Sequence, residues 1–259
     1  MCMKKTVSDF LLVENKQLNK DNFQLLLRST HPFSDIFPGQ FINVEIKEAK
    51  DIFLRRPFSI LDVDYGLQTI SLLVKILGRG SKKLTEAITG QTINAIFPLG
   101  KSFTLPDKSN RILLIGGGSG VAPMLFLAKR CGLDPSNVNV LIGARSALDH
   151  IDVTEYLDFG KYYFTTEDGT LGEKGYVTNH PIFSNQLSQF DKIYCCGPDL
   201  MMKVIGRKAI EMDIFCEVSL ENMMACGFGV CLCCVEETKS GHKCVCTDGP
   251  VFNVKDLKW

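Results

Sequence analysis

Four cysteines in the last fifth of the chain have a spacing that suits iron–sulfur chemistry. Cys226, Cys231, Cys234 and Cys246 follow the pattern C-x4-C-x2-C-x11-C. The first three repeat a spacing that holds a [2Fe-2S] cluster, which needs four thiolates for its two irons. Two glycines between the first two cysteines allow positive φ, so that backbone N–H groups can approach the cluster sulfurs. The pattern predicts a carrier of single electrons.

Other uses of these cysteines fit the spacing less well. A zinc site would combine the C-x2-C pair with Cys244 and Cys246, and C-x-C is poor spacing for zinc. A disulfide framework is not expected, because eleven cysteines in 259 residues without a signal-peptide pattern indicate a reducing compartment. Inert buried cysteines would be scattered along the chain rather than clustered. Spacing alone does not choose between Cys244 and Cys246 as the fourth ligand, and Cys233 is a further neighbouring thiol.

Composition limits the class of protein. The formal net charge is zero, which argues against a broad nucleic-acid interface. No apolar run reaches membrane-spanning length, and 45% hydrophobic residues suit a globular core. We therefore expect a cytoplasmic protein that binds neither nucleic acid nor membrane. Its length suits two ordinary domains, or one large domain with an appendage.

The elements that must position the cysteines fall into three regions. Residues 1–105 carry short β-branched or aromatic runs between turn residues, a pattern typical of a small antiparallel β-barrel. Residues 106–215 alternate strand, turn and helix, which predicts a doubly wound parallel α/β sheet. Residues 216–259 form the cysteine-rich tail, and the fold class is α+β and multidomain. The predicted strands are 22–27, 40–46, 58–62, 69–76, 92–97, 111–116, 138–143, 161–165 and 192–196, and the predicted helices are 81–87, 122–130 and 200–212.

A glycine cluster follows the first predicted strand of the second region. Residues 116–120 hold four glycines in five positions and open a predicted helix. Backbone amides in such a turn can approach a pyrophosphate, and the helix N-terminus favours negative charge. A tight turn would need only one or two glycines, so nucleotide binding is favoured, although the G-x-G-x-x-G spacing is not clean. Two later strand ends, residues 143–146 and 195–198, would face the same crevice. Arg145 there could lie near a ribose or be a solvated loop residue.

Two motifs in the first region could bind phosphate. Arg56 and Ser59, held by Pro57, offer a forked guanidinium and a hydroxyl to one phosphate. Phe58 offers a flat face to a ring. The turn at residues 78–81 leads into a predicted helix and would be a second anion site. Each motif alone also fits a surface ion pair or an N-capped helix, but the two strengthen each other in a barrel that precedes a nucleotide-binding region.

These motifs together resemble the ferredoxin–NADP reductase superfamily. Residues 56–59 are similar to its R-x-[YF]-[ST] flavin signature, and residues 80–81 to its second flavin-phosphate motif. Residues 117–123 are similar to its GG-x-G-x-x-P nicotinamide motif, and residues 196–198 to its C-G-P turn. The tail resembles more narrowly the electron transfer subunits of dihydroorotate dehydrogenase B, whose last cysteine precedes x-D-G-P. The resemblance covers essentially the whole chain and implies Cys246 as the fourth ligand.

The resemblance implies cofactors, a partner and a reaction. Residues 1–105 would bind FAD, residues 106–215 would bind NAD, and residues 216–259 would hold the [2Fe-2S] cluster. Electrons would pass from the FMN of a catalytic subunit, which oxidises dihydroorotate to orotate, through the cluster and FAD to NAD+ in pyrimidine (UMP) biosynthesis. The two subunits would form a heterotetramer with two copies of each, and this chain would need no catalytic residue of its own. The implied cofactor-binding residues are Arg56, Pro57, Phe58, Ser59, Leu73, Val74, Lys75, Gly80, Ser81, Gly117, Gly118, Gly120, Cys196 and Gly197, and the implied cluster ligands are Cys226, Cys231, Cys234 and Cys246.

Two other functions stay open from the residues. The same modules could form a reductase subunit for a ferredoxin, a hydrogenase or a bifurcating partner. A sensor that holds zinc and nucleotide without turnover is an alternative of a different class. Phe58 stands where many flavin reductases have tyrosine, and the preference for NADH over NADPH comes from the resemblance alone.

Overall fold

The first third of the chain closes into a six-stranded antiparallel barrel. The computed structural model describes residues 5–33, 35–47 and 51–259. Neighbouring strands run in the order β1-β2-β5-β4-β3-β6, and β6 closes the barrel on β1. A short helix, α1 (Arg79–Thr85), lies between β5 and β6. The barrel strands are β1 (Thr6–Gln17), β2 (Asn22–Ser29), β3 (Phe41–Val44), β4 (Arg56–Asp64), β5 (Thr69–Lys75) and β6 (Thr92–Leu99).

Strand β5 shows how the barrel joins the rest of the molecule. Ile70, Leu72 and Val74 are fully buried and fill the barrel interior. Leu73 points the other way, because successive side chains alternate between the faces of a strand, and it packs in the core of the second region. All of β5 except Lys75 is buried, including the polar side chains of Thr69 and Ser71.

The second region is a seven-stranded sheet in the order β10-β9-β8-β7-β11-β12-β15. Its strand pairs are parallel except the last, in which β15 runs antiparallel to β12. The strands are β7 (Ile112–Gly117), β8 (Val138–Ala144), β9 (Lys161–Thr166), β10 (Glu173–Lys174), β11 (Lys192–Cys196), β12 (Phe215–Ser219) and β15 (Val251–Asn253). The helices are α2 (Val121–Arg130), α3 (Pro181–Ser184), α4 (Asp199–Glu211) and α5 (Val245–Asp248). Single 3₁₀ turns cover Gly118–Gly120, Pro135–Asn137, Ala147–Asp149, Thr154–Phe159, Val177–Asn179, Leu187–Gln189 and Val254–Asp256.

The tail adds a two-stranded hairpin, β13 (Val235–Thr238) and β14 (Gly241–Cys244), and then returns to the main sheet as β15. None of the helices in the described ranges is long and apolar enough to cross a membrane.

The predicted fold class is confirmed. The predicted strands and helices lie within about three residues of the observed ones. The strands β1, β10, β12, β13, β14 and β15 and the short helices α3 and α5 were not predicted. Because β15 joins the sheet, the tail is not a separate appendage in space. The predicted limit at residues 215 and 216 falls at the start of β12, and the division into three domains stays a prediction.

The link between barrel and sheet is fixed by hydrogen bonds to Thr104. The Glu217 carboxylate accepts bonds of 2.8 Å from both the backbone N–H and the hydroxyl of Thr104. The Tyr194 hydroxyl donates to the Thr104 carbonyl at 2.7 Å. The segment between the barrel and the sheet is therefore held against the sheet at Thr104.

Candidate functional site

The third and fourth cysteines of the motif are brought together by the hairpin β13–β14. The Val245 N–H donates to the Cys234 carbonyl at 2.9 Å, and the Cys246 N–H donates to the Cys234 sulfur at 3.3 Å. Both thiols are buried. The eleven residues between Cys234 and Cys246 form a hairpin, which begins after Cys234 and brings Cys246 back beside it. Cys244 ends β14, and its N–H is bonded to the Asp248 carboxylate at 2.8 Å.

The first and second cysteines form a second pair in the preceding loop. The N–H of each of Cys226 and Cys231 lies 3.5 Å from the sulfur of the other. Val230 donates a further N–H to the Cys226 sulfur at 3.3 Å, and Cys233 donates one to the Cys231 sulfur at 3.5 Å. Although desolvation opposes ionisation, backbone hydrogen bonds from Phe228, Cys231 and Val230 lower the pKa of Cys226 to about 6. The loop therefore favours the thiolate, which is the form that binds metal.

Two glycines give this loop its shape. Gly227 and Gly229 both have positive φ, +78° and +97°. A Cβ on Gly227 would lie 2.6 Å from the Asn43 side-chain nitrogen, and one on Gly229 would lie 2.6 Å from Thr247. Asn43, fully buried on β3, donates to the Cys226 carbonyl at 2.8 Å. The loop is consequently held against the barrel.

The donor set fits a two-iron cluster. Four cysteines in two pairs are the ligands that such a cluster requires, and N–H groups aimed at sulfur tune its reduction potential. Within the described ranges, no three histidine, cysteine or carboxylate side chains are placed to hold one metal ion. The four cysteines lie in two pairs, Cys226 with Cys231 and Cys234 with Cys246, and this arrangement suits a two-iron cluster.

The motif residues of the barrel meet at one end of β4 and β5. Arg56 begins β4, and a Cβ on Gly80 would lie 2.8 Å from its Nε, so the guanidinium lies over the turn that starts α1. The hydroxyl of Ser81 accepts from the N–H groups of Leu77 and Gly78 at 2.9 and 3.2 Å. Ser81 therefore shapes the turn, and Arg56 is the cation beside it. Pro57, Phe58 and Ser59 continue β4, and Leu73, Val74 and Lys75 end β5.

The glycine cluster lies where β7 and β11 end. A Cβ on Gly120 would lie 2.3 Å from the Cys196 carbonyl oxygen, and one on Gly197 would lie 3.0 Å from the Gly117 nitrogen. Gly120 of the cluster and Gly197 of the neighbouring turn therefore allow the two strand ends to pack closely, in addition to any contact with a ligand. Gly118 has φ +57°, and a Cβ there would lie 3.7 Å from the Lys75 ammonium. Lys75 of the barrel therefore faces the glycine turn across the crevice.

Glu221 is a crevice residue that sequence reasoning missed. It follows β12, and its carboxylate lies 3.9 Å from the sulfur of fully buried Cys196. Desolvation raises the pKa of Glu221, and the charge of Lys75 opposes that shift. Burial also raises the pKa of Cys196 well above its usual value, so the thiol is neutral. The signal that could have found Glu221 is its place just beyond the carboxyl end of a sheet strand.

A barrel, a parallel sheet with a glycine turn, and a cysteine-rich tail define a flavin- and nicotinamide-dependent reductase with an iron–sulfur module. Family models agree: residues 114–207 match the oxidoreductase NAD-binding domain, and residues 221–258 match the iron–sulfur cluster binding domain of dihydroorotate dehydrogenase B. The chain belongs to the family of dihydroorotate dehydrogenase B (NAD(+)) electron transfer subunits, and the resemblance drawn from its motifs is confirmed.

Individual relatives extend over almost the whole chain. The electron transfer subunit of Shouchella clausii is 32% identical over 98% of this chain and 99% of its own. That of Fusobacterium nucleatum is 33% identical over 97% and 98%. Among solved structures, a chain of the NADH-dependent reduced ferredoxin-NADP oxidoreductase, studied for flavin-based electron bifurcation, has a TM-score of 0.85 at 28% identity, covering 96% and 90%. The ferredoxin reductase in carbazole 1,9a-dioxygenase shares the fold, with a TM-score of 0.72 at 20% identity over 83% and 68%.

Proposed function

We propose that this chain is the electron transfer subunit of a dihydroorotate dehydrogenase. It passes electrons from the FMN of a catalytic subunit, through a [2Fe-2S] cluster and FAD, to NAD+ in pyrimidine biosynthesis. One observation carries the proposal: the two cysteine pairs lie where the barrel meets the sheet, in contact with residues of the barrel. Asn43 of the barrel bonds the cluster loop, and Cys234 and Cys246 share one buried core with Phe41 of β3.

The cofactors divide the chemistry between them. Bound FAD exchanges single electrons as well as hydride, whereas nicotinamide takes only hydride and the cluster only single electrons. The chain's own residues bind and orient these groups. We assign Arg56 and Ser59 to the FAD phosphates, with Pro57 and Phe58 beside them, and Gly80 and Ser81 as the turn that closes over the second phosphate. The backbone of Leu73, Val74 and Lys75 would lie along the flavin.

The nucleotide would bind at the carboxyl ends of β7 and β11. Gly117, Gly118 and Gly120 let the backbone approach its phosphates, and the N-terminus of α2 favours their charge. Cys196 and Gly197 would line the nicotinamide end of the crevice.

The cluster would take two thiolates from each cysteine pair. Cys226 and Cys231 would hold the outer iron, since Cys231 is exposed, and Cys234 and Cys246 would hold the inner iron. Backbone N–H groups to the outer pair stabilise negative charge and so tune the reduction potential.

The partner would cover the cluster loop. Met223, Val230 and Leu232 are exposed apolar side chains in or beside this loop, with 85%, 74% and 64% of their surface accessible. Such side chains are typical of a surface that another subunit buries. We propose a heterotetramer with two copies of each subunit, located in the cytoplasm, where the free thiols stay reduced.

The test uses the chain purified without oxygen together with its catalytic subunit. We expect iron, FAD and dihydroorotate-dependent NAD+ reduction. Cys231→Ala should abolish that activity yet leave NADH oxidation by an artificial hydride acceptor, because only the cluster is lost. The matched control is Cys233→Ala, which removes an exposed thiol of the same loop and should keep both activities. A colourless protein with zinc and no iron, or a Cys231→Ala variant with full activity, would refute the proposal.

A second function is favoured by one comparison. The likeness to the NADH-dependent reduced ferredoxin-NADP oxidoreductase chain fits a reductase subunit that serves a ferredoxin or a bifurcating partner. Reduced ferredoxin in place of dihydroorotate separates the two: NAD+ reduction from ferredoxin alone would support this second function.

A further inference from the structure

We propose that Asp149 makes the nucleotide site select NAD(H) over NADP(H), by occupying Arg145 and Ser146 and by placing negative charge where a 2′-phosphate would lie. The inference rests on the proposed nucleotide site at the carboxyl ends of the sheet strands. Arg145, Ser146 and Asp149 would be the residues that lie beside the ribose.

The position of Asp149 follows from the sheet. In dinucleotide-binding folds an acidic residue beyond the glycine turn hydrogen-bonds the ribose of NAD, whereas an arginine nearby can accept the 2′-phosphate of NADP. Here β8 pairs in parallel with β7, and Gly143 lies opposite Gly117 at the glycine turn. The chain then runs directly into Arg145, Ser146 and the 3₁₀ turn that ends at Asp149.

The contacts of Asp149 engage both groups that could bind a phosphate. The Ser146 hydroxyl donates to one carboxylate oxygen at 2.7 Å. An Nη of Arg145 lies 3.7 Å from the other oxygen. A hydroxyl and a guanidinium side by side are what a phosphate site uses. A 2′-phosphate would have to compete with the carboxylate for both groups.

The neighbouring turn adds to the negative charge. The backbone N–H groups of Glu167 and Asp168 donate to the carbonyls of Ala144 and Arg145 at 3.2 and 3.3 Å, so this turn lies against the end of β8. Hydrogen bonds from the side chain and backbone of Thr170 lower the pKa of Asp168, which stays ionised. Asp149, Glu167 and Asp168 therefore oppose a group that carries about −1.5 to −2 charges at neutral pH.

The test compares two probes that differ only in the 2′-phosphate, adenosine 5′-monophosphate and adenosine 2′,5′-bisphosphate. Their dissociation constants are measured by calorimetry on the intact chain at low salt. We expect the wild-type chain to bind the monophosphate more tightly. Asp149→Asn should shift the ratio of the two constants towards the bisphosphate by roughly tenfold, because it removes one like charge and replaces charge-assisted contacts to the two donors by weaker neutral ones. Adding Arg145→Ala to that variant should reverse most of the gain.

The matched control is Asp158→Asn. It removes the same charge from the 3₁₀ turn before β9, at the opposite end of the parallel strands. Its ratio should equal that of the wild-type chain. An unchanged ratio in Asp149→Asn, or an equal shift in both variants, would overturn the inference while the nucleotide site stands. Failure of the wild-type chain to bind either probe would overturn the nucleotide site itself, and the inference with it.

Discussion

Replacement of Gly120 by alanine is the sharpest test of how the nucleotide crevice is built. The new Cβ would lie 2.3 Å from the carbonyl oxygen of Cys196 and 2.4 Å from its carbon, where ordinary contact begins at 3.4 Å. Both atoms are backbone of β11, so no side chain can rotate away, and the strand end must move by about 1 Å. Overpacking of this kind costs about 1 to 3 kcal/mol or more. For a chain of this size the melting temperature should fall by roughly 3 to 10 °C.

The same shift would open the turn that approaches the nucleotide. Gly120→Ala should therefore also weaken binding of adenosine 5′-monophosphate, measured by calorimetry below the melting temperature. The control is Gly66→Ala in the exposed turn between β4 and β5, where the nearest atom is the end of the Asp64 side chain at 3.3 Å. That variant should melt and bind like the wild-type chain. If Gly120→Ala does the same, the close approach of the strand ends is not what the glycine provides.

Two further perturbations test other parts of the molecule. Arg56→Ala should weaken FAD binding about 10- to 100-fold, because a charged donor is lost at the turn of Gly80, and the purified variant should lack flavin absorbance. Arg55→Ala is its control, because the Arg55 guanidinium is bonded to Asn94 within the barrel at 2.6 Å. An Arg56→Ala protein that keeps its bound flavin, and so stays yellow, would contradict the assignment. Burial lowers the pKa of His150, against the opposing charge of Asp152, so the unfolded chain takes up a proton that the folded chain resists. Stability should therefore fall as pH drops below about 6.5. His150→Phe, which keeps a ring packed on Phe164, should make the urea midpoint depend less on pH. The same pH dependence in the variant and the wild-type chain would contradict this role of His150.

Local patterns predicted the elements that are buried on both faces. Strand β11 has the predicted limits, and β7 and β8 are shifted by one residue or less at each end, because a run of apolar residues between turn signals leaves little choice. The positive φ of the two glycines in the cluster loop was also predictable, because short loops that aim N–H groups at sulfur need that backbone.

Pairings over long distances in the chain could not be predicted in this way. The hairpin β13–β14 is mostly polar and only partly buried, so it lacks the alternation that marks a strand. Strand β15 has three residues, and its place beside β12 depends on the whole fold. Glu221 was missed because β12, the strand that it follows, was not predicted, so its place beside Cys196 and Lys75 could not be seen.

The local sequence pattern does not distinguish Cys244 from Cys246 as the proposed fourth cluster ligand, whereas the folded hairpin does. Cys244 and Cys246 are two residues apart, and spacing from Cys234 suits both. The register of the hairpin separates them, because Val235 pairs with Cys244 while the chain turns into α5 at Val245. That turn aims the Cys246 N–H at the Cys234 sulfur and buries the Cys246 thiol in the shared core. Cys244 instead ends its strand half-buried. Hairpin register therefore supports the proposal that Cys246 rather than Cys244 is the fourth ligand, independently of the resemblance to known relatives.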